Sequence, residues 1–335
     1  MAQASAPTLV FAPDRGVGDL MWHLPTIRAI AERAGGPVVL ITRPSTRAKD
    51  LLSSEPSVSE IVYVINHKGT WRRFAEARAL YRLCRQYRPR ALWTLEKTWP
   101  GPLGALLAGV PERPGFGLGH EQEWVVTGPT LPKAMQPDHR IPKLAAFETA
   151  HGLPVVSREP LLPLPRTGGD AIASFADLPR PWIMFGVGTT DPDRLWPLDR
   201  FAALAQQLKA RLGGTVFWLG DPERAEAVTA LLKPGQIDVS AFKLDAAAHL
   251  MVASDLFIGV DSGPMNLAAS LQRPTIGLFG PSQALDYSQW LTAITPPVGG
   301  MAPSEAMKTV TVEAVLAVAL RLIGDEALAP SAEPR

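Results

Sequence analysis

Short runs rich in Val, Ile, Leu and Phe alternate along the chain with longer segments whose apolar residues recur every three or four positions. Strands buried on both faces read as nearly continuous apolar runs, and the helices that cross between them carry a single apolar stripe. The alternation therefore predicts βαβ units and parallel sheets. In the first half it places strands at residues 7–13, 38–43, 60–65 and 90–96. Helices fall at 19–34, 45–52 and 71–87, with a weaker one at 140–152. A second series follows, with strands at 182–188, 215–220, 237–242, 256–262 and 275–280 and helices at 197–212, 222–232, 245–253, 263–271 and 312–323.

Between the two series the pattern breaks. Pro154, Pro160, Pro163, Pro165, Pro179 and Pro181 crowd together with Gly168 and Gly169, a composition that resists any long regular element and predicts a linker. The expected organisation is a first α/β domain at 1–160, a proline-rich linker at 161–181, a second α/β domain at 182–325 and a frayed tail at 326–335. Two doubly wound lobes of this kind leave a cleft at the carboxyl ends of their strands, where ligands of open parallel sheets bind.

With 335 residues, 46% apolar and 19% charged, the chain has material for two buried cores and not for extended disorder. Cys84 is the only cysteine, which excludes an internal disulfide framework and a thiolate-built zinc site. The six histidines form no HxxH pair, so no metal is expected. No apolar stretch reaches membrane-spanning length, and the opening MAQASAPTLVFAPDRG lacks the basic start and apolar centre of a secretory signal. The expectation is a cytoplasmic protein, at most peripheral at the inner face of a membrane.

The net charge of +1 conceals an asymmetry. Residues 1–160 hold 20 Lys and Arg against 14 Asp and Glu, and residues 161–335 hold 13 against 18. The densest basic stretch, 68–97, has nine basic residues opposed by Glu76 and Glu96 alone. On its helix Arg78, Arg82 and Arg85 share a face, with Phe74, Ala77, Leu80, Cys84 and Tyr87 toward the other. Such a face is either simply solvated or drawn to an anionic lipid or phosphorylated acceptor. Near-neutral overall charge and the lack of a recognition motif argue against nucleic acid as a partner.

Three strand-to-helix loops carry the candidate chemistry. In Arg15-Gly16-Val17-Gly18-Asp19 the glycines permit a tight turn, and Asp19 is either a helix N-cap or a carboxylate base facing the cleft. Met21 stands where a GxGxxG dinucleotide fingerprint needs its third glycine. The second loop, 186–197, offers Thr189, Thr190 and Arg194, hydroxyl and guanidinium donors that suit a diphosphate but that also suit ordinary turn chemistry. Trp196, beside Arg194, is the tryptophan expected to line a pocket. In the third loop, Asp261-Ser262-Gly263-Pro264-Met265-Asn266, the backbone N–H groups of Gly263 and Met265 suit an anion, and Ser262 as an N-cap is the rival reading.

The order and spacing of Gly18-Asp19-Leu20-Met21-Trp22-His23-Leu24-Pro25, of the 186–197 loop with its Arg-x-Trp-Pro ending, and of Asp261-Ser262-Gly263-Pro264-Met265 followed by Pro274-Thr275-Ile276-Gly277 resemble glycosyltransferase family 9, the ADP-heptose:lipopolysaccharide heptosyltransferases. The resemblance implies a GT-B architecture, two Rossmann-like doubly wound parallel-sheet domains facing across a cleft. It implies inverting, metal-independent sugar transfer with Asp19 as general base and no cofactor. The donor, a nucleotide sugar of the ADP-heptose type, would lie against Thr189, Thr190, Arg194, Trp196, Asp261, Ser262, Gly263 and Asn266. The acceptor, an anionic glycolipid or glycan of the lipopolysaccharide-core type, would meet Gly18, Lys97, Arg78 and Arg82. Position 266 is Asn where the family pattern usually has His, and Asn carries no proton charge near neutrality. The alternatives are a catalytically weak nucleotide-sugar-binding relative that acts in assembly, a sugar-nucleotide epimerase and an NAD-dependent oxidoreductase.

Overall fold

The computed structural model describes residues 6–65, 71–155, 157–284, 287–297 and 302–326. Lys68, at the head of the basic stretch, and residues 327–335 of the expected tail lie outside the described residues. The chain divides into two compact units, Met1–Pro160 and Leu161–Arg335.

The first unit runs β1 (Thr8–Phe11), α1 (Val17–Ala34), β2 (Val38–Thr42), α2 (Ala48–Leu51), β3 (Val58–Tyr63), α3 (Arg72–Tyr87), β4 (Ala91–Thr94), α4 (Pro100–Leu107), α5 (His120–Glu123) and α6 (Arg140–Ala150). Its four strands are parallel in the order β3-β2-β1-β4. Leu9, Phe11, Val39, Ile41 and Leu92 of the sheet pack with Leu80, Cys84 and Ala105 of the helices. Helix α4 has no counterpart among the expected elements; its sequence, PGPLGALL, is rich in glycine and proline. Its glycines are there for close approach: a Cβ on Gly104 would lie 2.5 Å from Ala77 O and 2.7 Å from Tyr81 N, and one on Gly101 would lie 2.5 Å from the Phe11 ring. Pro100 starts the helix where no N–H bond is lost.

The second unit runs β5 (Trp182–Gly186), α7 (Leu198–Leu212), β6 (Thr215–Leu219), α8 (Ala225–Leu231), β7 (Gln236–Asp238), α9 (Leu244–Ala253), β8 (Leu256–Val260), α10 (Gly263–Ser270), β9 (Thr275–Leu278), β10 (Leu291–Ile294), α11 (Pro303–Thr309) and α12 (Val312–Glu326). All six strands are parallel, in the order β10-β9-β8-β5-β6-β7. The edge strand β10 and helix α11 have no counterpart among the expected elements; LTAI is only half buried and lacks the apolar density of a central strand. The proline-rich segment packs on this unit: Phe175 lies 5.2 Å from the Phe217 ring, Leu162 N donates to Ser270 O at 2.7 Å, and Arg180 pairs with Asp255 at 3.0 Å. Among the described residues no helix is long and apolar enough to cross a membrane.

Each sheet has one place where the strand order reverses, between β1 and β4 in the first and between β5 and β8 in the second. Loops leaving the carboxyl ends of such a strand pair diverge and open a crevice. The three glycine-bearing loops all leave these strands.

Candidate active site

In the first unit the loops after β1 and β4 assemble a charged cluster. Asp19 lies in the first turn of α1, whose N-cap is the extended Gly16, so its carboxylate does not cap the helix. The side chain is 31% exposed, and its Oδ1 sits 2.6 Å from Nη1 of Arg140, the first residue of α6. Nη2 of the same guanidinium reaches Glu96 at 2.7 Å and the fully buried Asp14 at 3.5 Å. Helix α6 is held by His139, whose Nδ1 accepts from Ile141 N.

His23 completes the cluster. Its Nε2 lies 2.9 Å from Leu95 O, and its Nδ1 lies 2.9 Å from Asp19 O and 3.0 Å from Asp14 Oδ2. Both ring nitrogens of this fully buried side chain face oxygen acceptors, an arrangement that favours the doubly protonated, positively charged ring. Burial pushes the His23 pKa down, but the Asp14 carboxylate outweighs it and the net shift is upward. Burial likewise pushes Glu96 up, and the charge and hydrogen bond of Arg140, with the Lys97 N–H, hold it below the usual carboxylate range. The Arg140 pKa is raised: burial opposes the charge, but Asp14, Asp19 and Glu96 together favour it.

The same two loops contribute to a polar cavity of about 330 Å³. Arg15, Arg43, Arg72, Arg73 and Lys97 line it against Glu76 and Glu121. Arg43 is neutralised by Glu76 at 2.5 Å, whereas Arg15, Arg72, Arg73 and Lys97 have no ion pair among the described residues. Of the expected acceptor residues, Lys97 lines this cavity and Gly18 is buried in the first turn of α1. Arg78 and Arg82 do not line it; they project from the exposed face of α3.

In the second unit Arg194 joins the loops after β5 and β8. Its Nη1 lies 3.0 Å from Asp261 Oδ2 and its Nε 3.2 Å from Asp191 Oδ2. The β5 loop is kept tight by Gly188, where a Cβ would fall 2.4 Å from Asp221 Oδ2. Thr189 Oγ1 accepts from Asp191 N at 3.4 Å, and Thr190 is exposed. Ser262 occupies the N-cap position of α10 without a side-chain cap bond, and its buried Oγ has no hydrogen-bond partner among the described residues. Gly263 opens the helix, followed by Pro264.

One expectation is corrected here. Trp196 lines no pocket: it is 1% exposed, stacks edge-on against Phe201 at 4.8 Å and donates its indole N–H to Val310 O at 2.9 Å, so it belongs to the core. The Asn266 amide is occupied internally, with Nδ2 donating to Ser262 O at 2.9 Å and Oδ1 accepting from Tyr287. Its place beside the loop is structural support for Ser262, a role that needs no proton charge.

Asp14, His23 and Arg140 join Asp19 only through the fold. The spacing of Asp19 and His23, four apart on one helix, is the one sequence signal for the first part of this cluster; Arg140 arrives from a distant helix. Among the described residues no group of three or more His, Cys, Asp or Glu side chains has the arrangement of a metal site.

The sequence model of glycosyltransferase family 9 (heptosyltransferase) matches residues 105–299, more than half of the chain. Lipopolysaccharide heptosyltransferase 2 of Escherichia coli K12 is 28% identical over 295 residues, covering 82% of each protein. The solved structure of E. coli ADP-heptose lps heptosyltransferase II superposes with a TM-score of 0.77 at 24% identity, covering 96% of this chain and 99% of that one. E. coli heptosyltransferase WaaC with ADP-2-deoxy-2-fluoro heptose superposes with a TM-score of 0.70 at 16% identity, covering 94% and 99%.

Proposed function

Because the chain belongs to glycosyltransferase family 9 and has the GT-B fold, we propose that this glycosyltransferase moves a heptose from ADP-heptose to an anionic acceptor of the lipopolysaccharide-core type. The observation that carries the reading is the half-exposed Asp19 carboxylate at the switch point of the first sheet. Arg140 anchors one of its oxygens, and the other has no partner among the described residues.

Asp19 is the general base. Its free oxygen takes the proton of an acceptor hydroxyl as that oxygen bonds to the anomeric carbon. The bond from that carbon to the diphosphate breaks on the opposite face, and its electron pair leaves with the nucleotide. The configuration inverts. Arg140 holds the carboxylate in one orientation without belonging to it alone, since Glu96 and Asp14 share the same guanidinium. A positioned base of this kind contributes ~10²–10⁴-fold to rate.

The second unit binds the donor. Negative charge growing on the departing diphosphate is met by the Arg194 guanidinium, the Thr189 and Thr190 hydroxyls and the N–H groups at the start of α10, preorganised donors that need no metal. The cations of the cavity in the first unit, Arg15, Arg72, Arg73 and Lys97, suit phosphate or carboxylate groups on the acceptor.

Incubation with ADP-heptose and a core acceptor, followed by mass and proton NMR analysis of the product, tests the assignment. The expected product is larger by one heptose, with an anomeric configuration opposite to that of the donor. Retained configuration, or turnover only with a different nucleotide sugar, contradicts it.

A further inference from the structure

Helix α3 carries a feature that neither the donor nor the acceptor chemistry absorbs. At 100° per residue, Phe74, Arg78, Arg82 and Arg85 fall within an arc of about 80°, and Trp71, at the N-cap, continues the same line. The three arginines are exposed, Trp71 is 75% exposed and Phe74 57%. Phe74 therefore belongs to the arginine face and not to the apolar face with Ala77, Leu80 and Cys84, which are buried. The Trp71 and Phe74 rings lie 5.6 Å apart, and Trp99 stands 5.5 Å from Phe74 as a buttress. Ile65, 69% exposed, lies just before this tip in sequence. The only acid on the helix, Glu76, is buried against Arg43, so nothing on α3 offsets the arginine row.

We propose that this stripe, about 21 Å long, is a docking surface for an anionic phospholipid bilayer, with Trp71 and Phe74 entering the headgroup–acyl boundary and Arg78, Arg82 and Arg85 lying along the lipid phosphates. A protein interface has an apolar centre depleted of charge. Here the apolar part is confined to one end and the remainder is a row of guanidiniums, a distribution that fits an interfacial membrane helix. Arg72 and Arg73, next to Trp71 in sequence, line the acceptor cavity, so docking at this tip brings the bilayer to the mouth of that cavity. This last step rests on the acceptor reading; the docking itself does not.

The test is flotation of the full chain with vesicles, one set of phosphatidylcholine and one of seven parts phosphatidylcholine to three of phosphatidylglycerol, at 50 and 300 mM salt. Binding to the anionic vesicles alone, weakened by salt, is expected. The Trp71→Ser, Phe74→Ser double variant and the Arg78→Glu, Arg82→Glu double variant should each lose at least ~10-fold in partitioning, since each basic residue near such a surface is worth several-fold. The aromatic variant should also keep wild-type turnover on a lipid-free acceptor saccharide. Equal binding to both vesicle types, variants that bind like wild type, or self-association through this patch with no vesicle binding each overturn the proposal. Transfer is not needed for the vesicle readout, so loss of the heptosyl assignment would leave this result standing.

Discussion

Nη1 of Arg140 lies 2.6 Å from Oδ1 of Asp19, and its partner nitrogen Nη2 lies 2.7 Å from Oε2 of Glu96. One guanidinium thus ties the helix that follows β1 to the loop that follows β4, and orients the carboxylate on which the proposed chemistry turns.

Arg140→Ala leaves Asp14, Asp19 and Glu96 as close neighbours without their shared cation. Breaking a largely buried pair from one side costs roughly 3 kcal/mol, so urea unfolding should shift by about that amount and transfer should fall by at least ~10²-fold. Arg140→Lys keeps the charge and loses the fork, and should recover stability better than rate. A variant with unchanged kcat would remove Arg140 from the orienting role.

His23 gives the protein a pH signature. The ring faces Asp14, the Asp19 and Leu95 carbonyls and, across the cluster, Arg140. Its pKa in the folded state is raised above the unfolded 6.5, so its contribution is fully present below that value and disappears as pH rises through the folded pKa. Urea unfolding of wild type and His23→Gln across pH 5.5–9 should show a gap that is widest at the acid end and closes with rising pH. A gap that widens toward pH 9 contradicts a charged ring.

The central strands of the two sheets are legible because buried parallel strands are almost uninterrupted apolar runs, as in VVLIT of β2 and LFIGV of β8, whereas the half-buried edge strand β10 gives no such run. Asp19, Arg194 and Asp261 are legible for a related reason: each lies in, or one turn beyond, a glycine-bearing connection between a strand and a helix. The remainder depends on tertiary proximity. Arg140 reaches Asp19 from more than a hundred residues away, and Asp14 reads as an ordinary loop acid until His23 is seen against it. Trp196 misleads in the other direction, because its neighbour Arg194 faces Asp261 while the indole turns inward to Phe201. In α4, glycine and proline suggest a loop, yet Gly101 and Gly104 serve contacts with Phe11 and α3 that are too close for any Cβ.

On the donor side, Arg194 bridges the β5 and β8 loops through Asp261. Arg194→Ala should weaken ADP binding and slow transfer by a combined factor of roughly 10–100, the range for a hydrogen bond to a charged group. Lys at this position should restore part of it. Calorimetric titration with ADP and steady-state kinetics separate the two effects, and wild-type values for both would exclude Arg194 from the diphosphate site.

Cys84 supplies a control on the core of the first unit. Burial pushes its thiol pKa up to about 12, so at pH 8 the thiolate fraction is about 1 in 10⁴. A chromogenic disulfide reagent should find no reactive thiol in the native protein and one equivalent after denaturation. Rapid native labelling would mean that α3 does not pack as described.

The most direct test of the account is Asp19→Asn, which keeps size and hydrogen bonding while removing the proton acceptor. Transfer from ADP-heptose to a core acceptor should fall by ~10²–10⁴-fold, with the ADP dissociation constant unchanged. Wild-type turnover by the variant would contradict the assignment of Asp19 as the base.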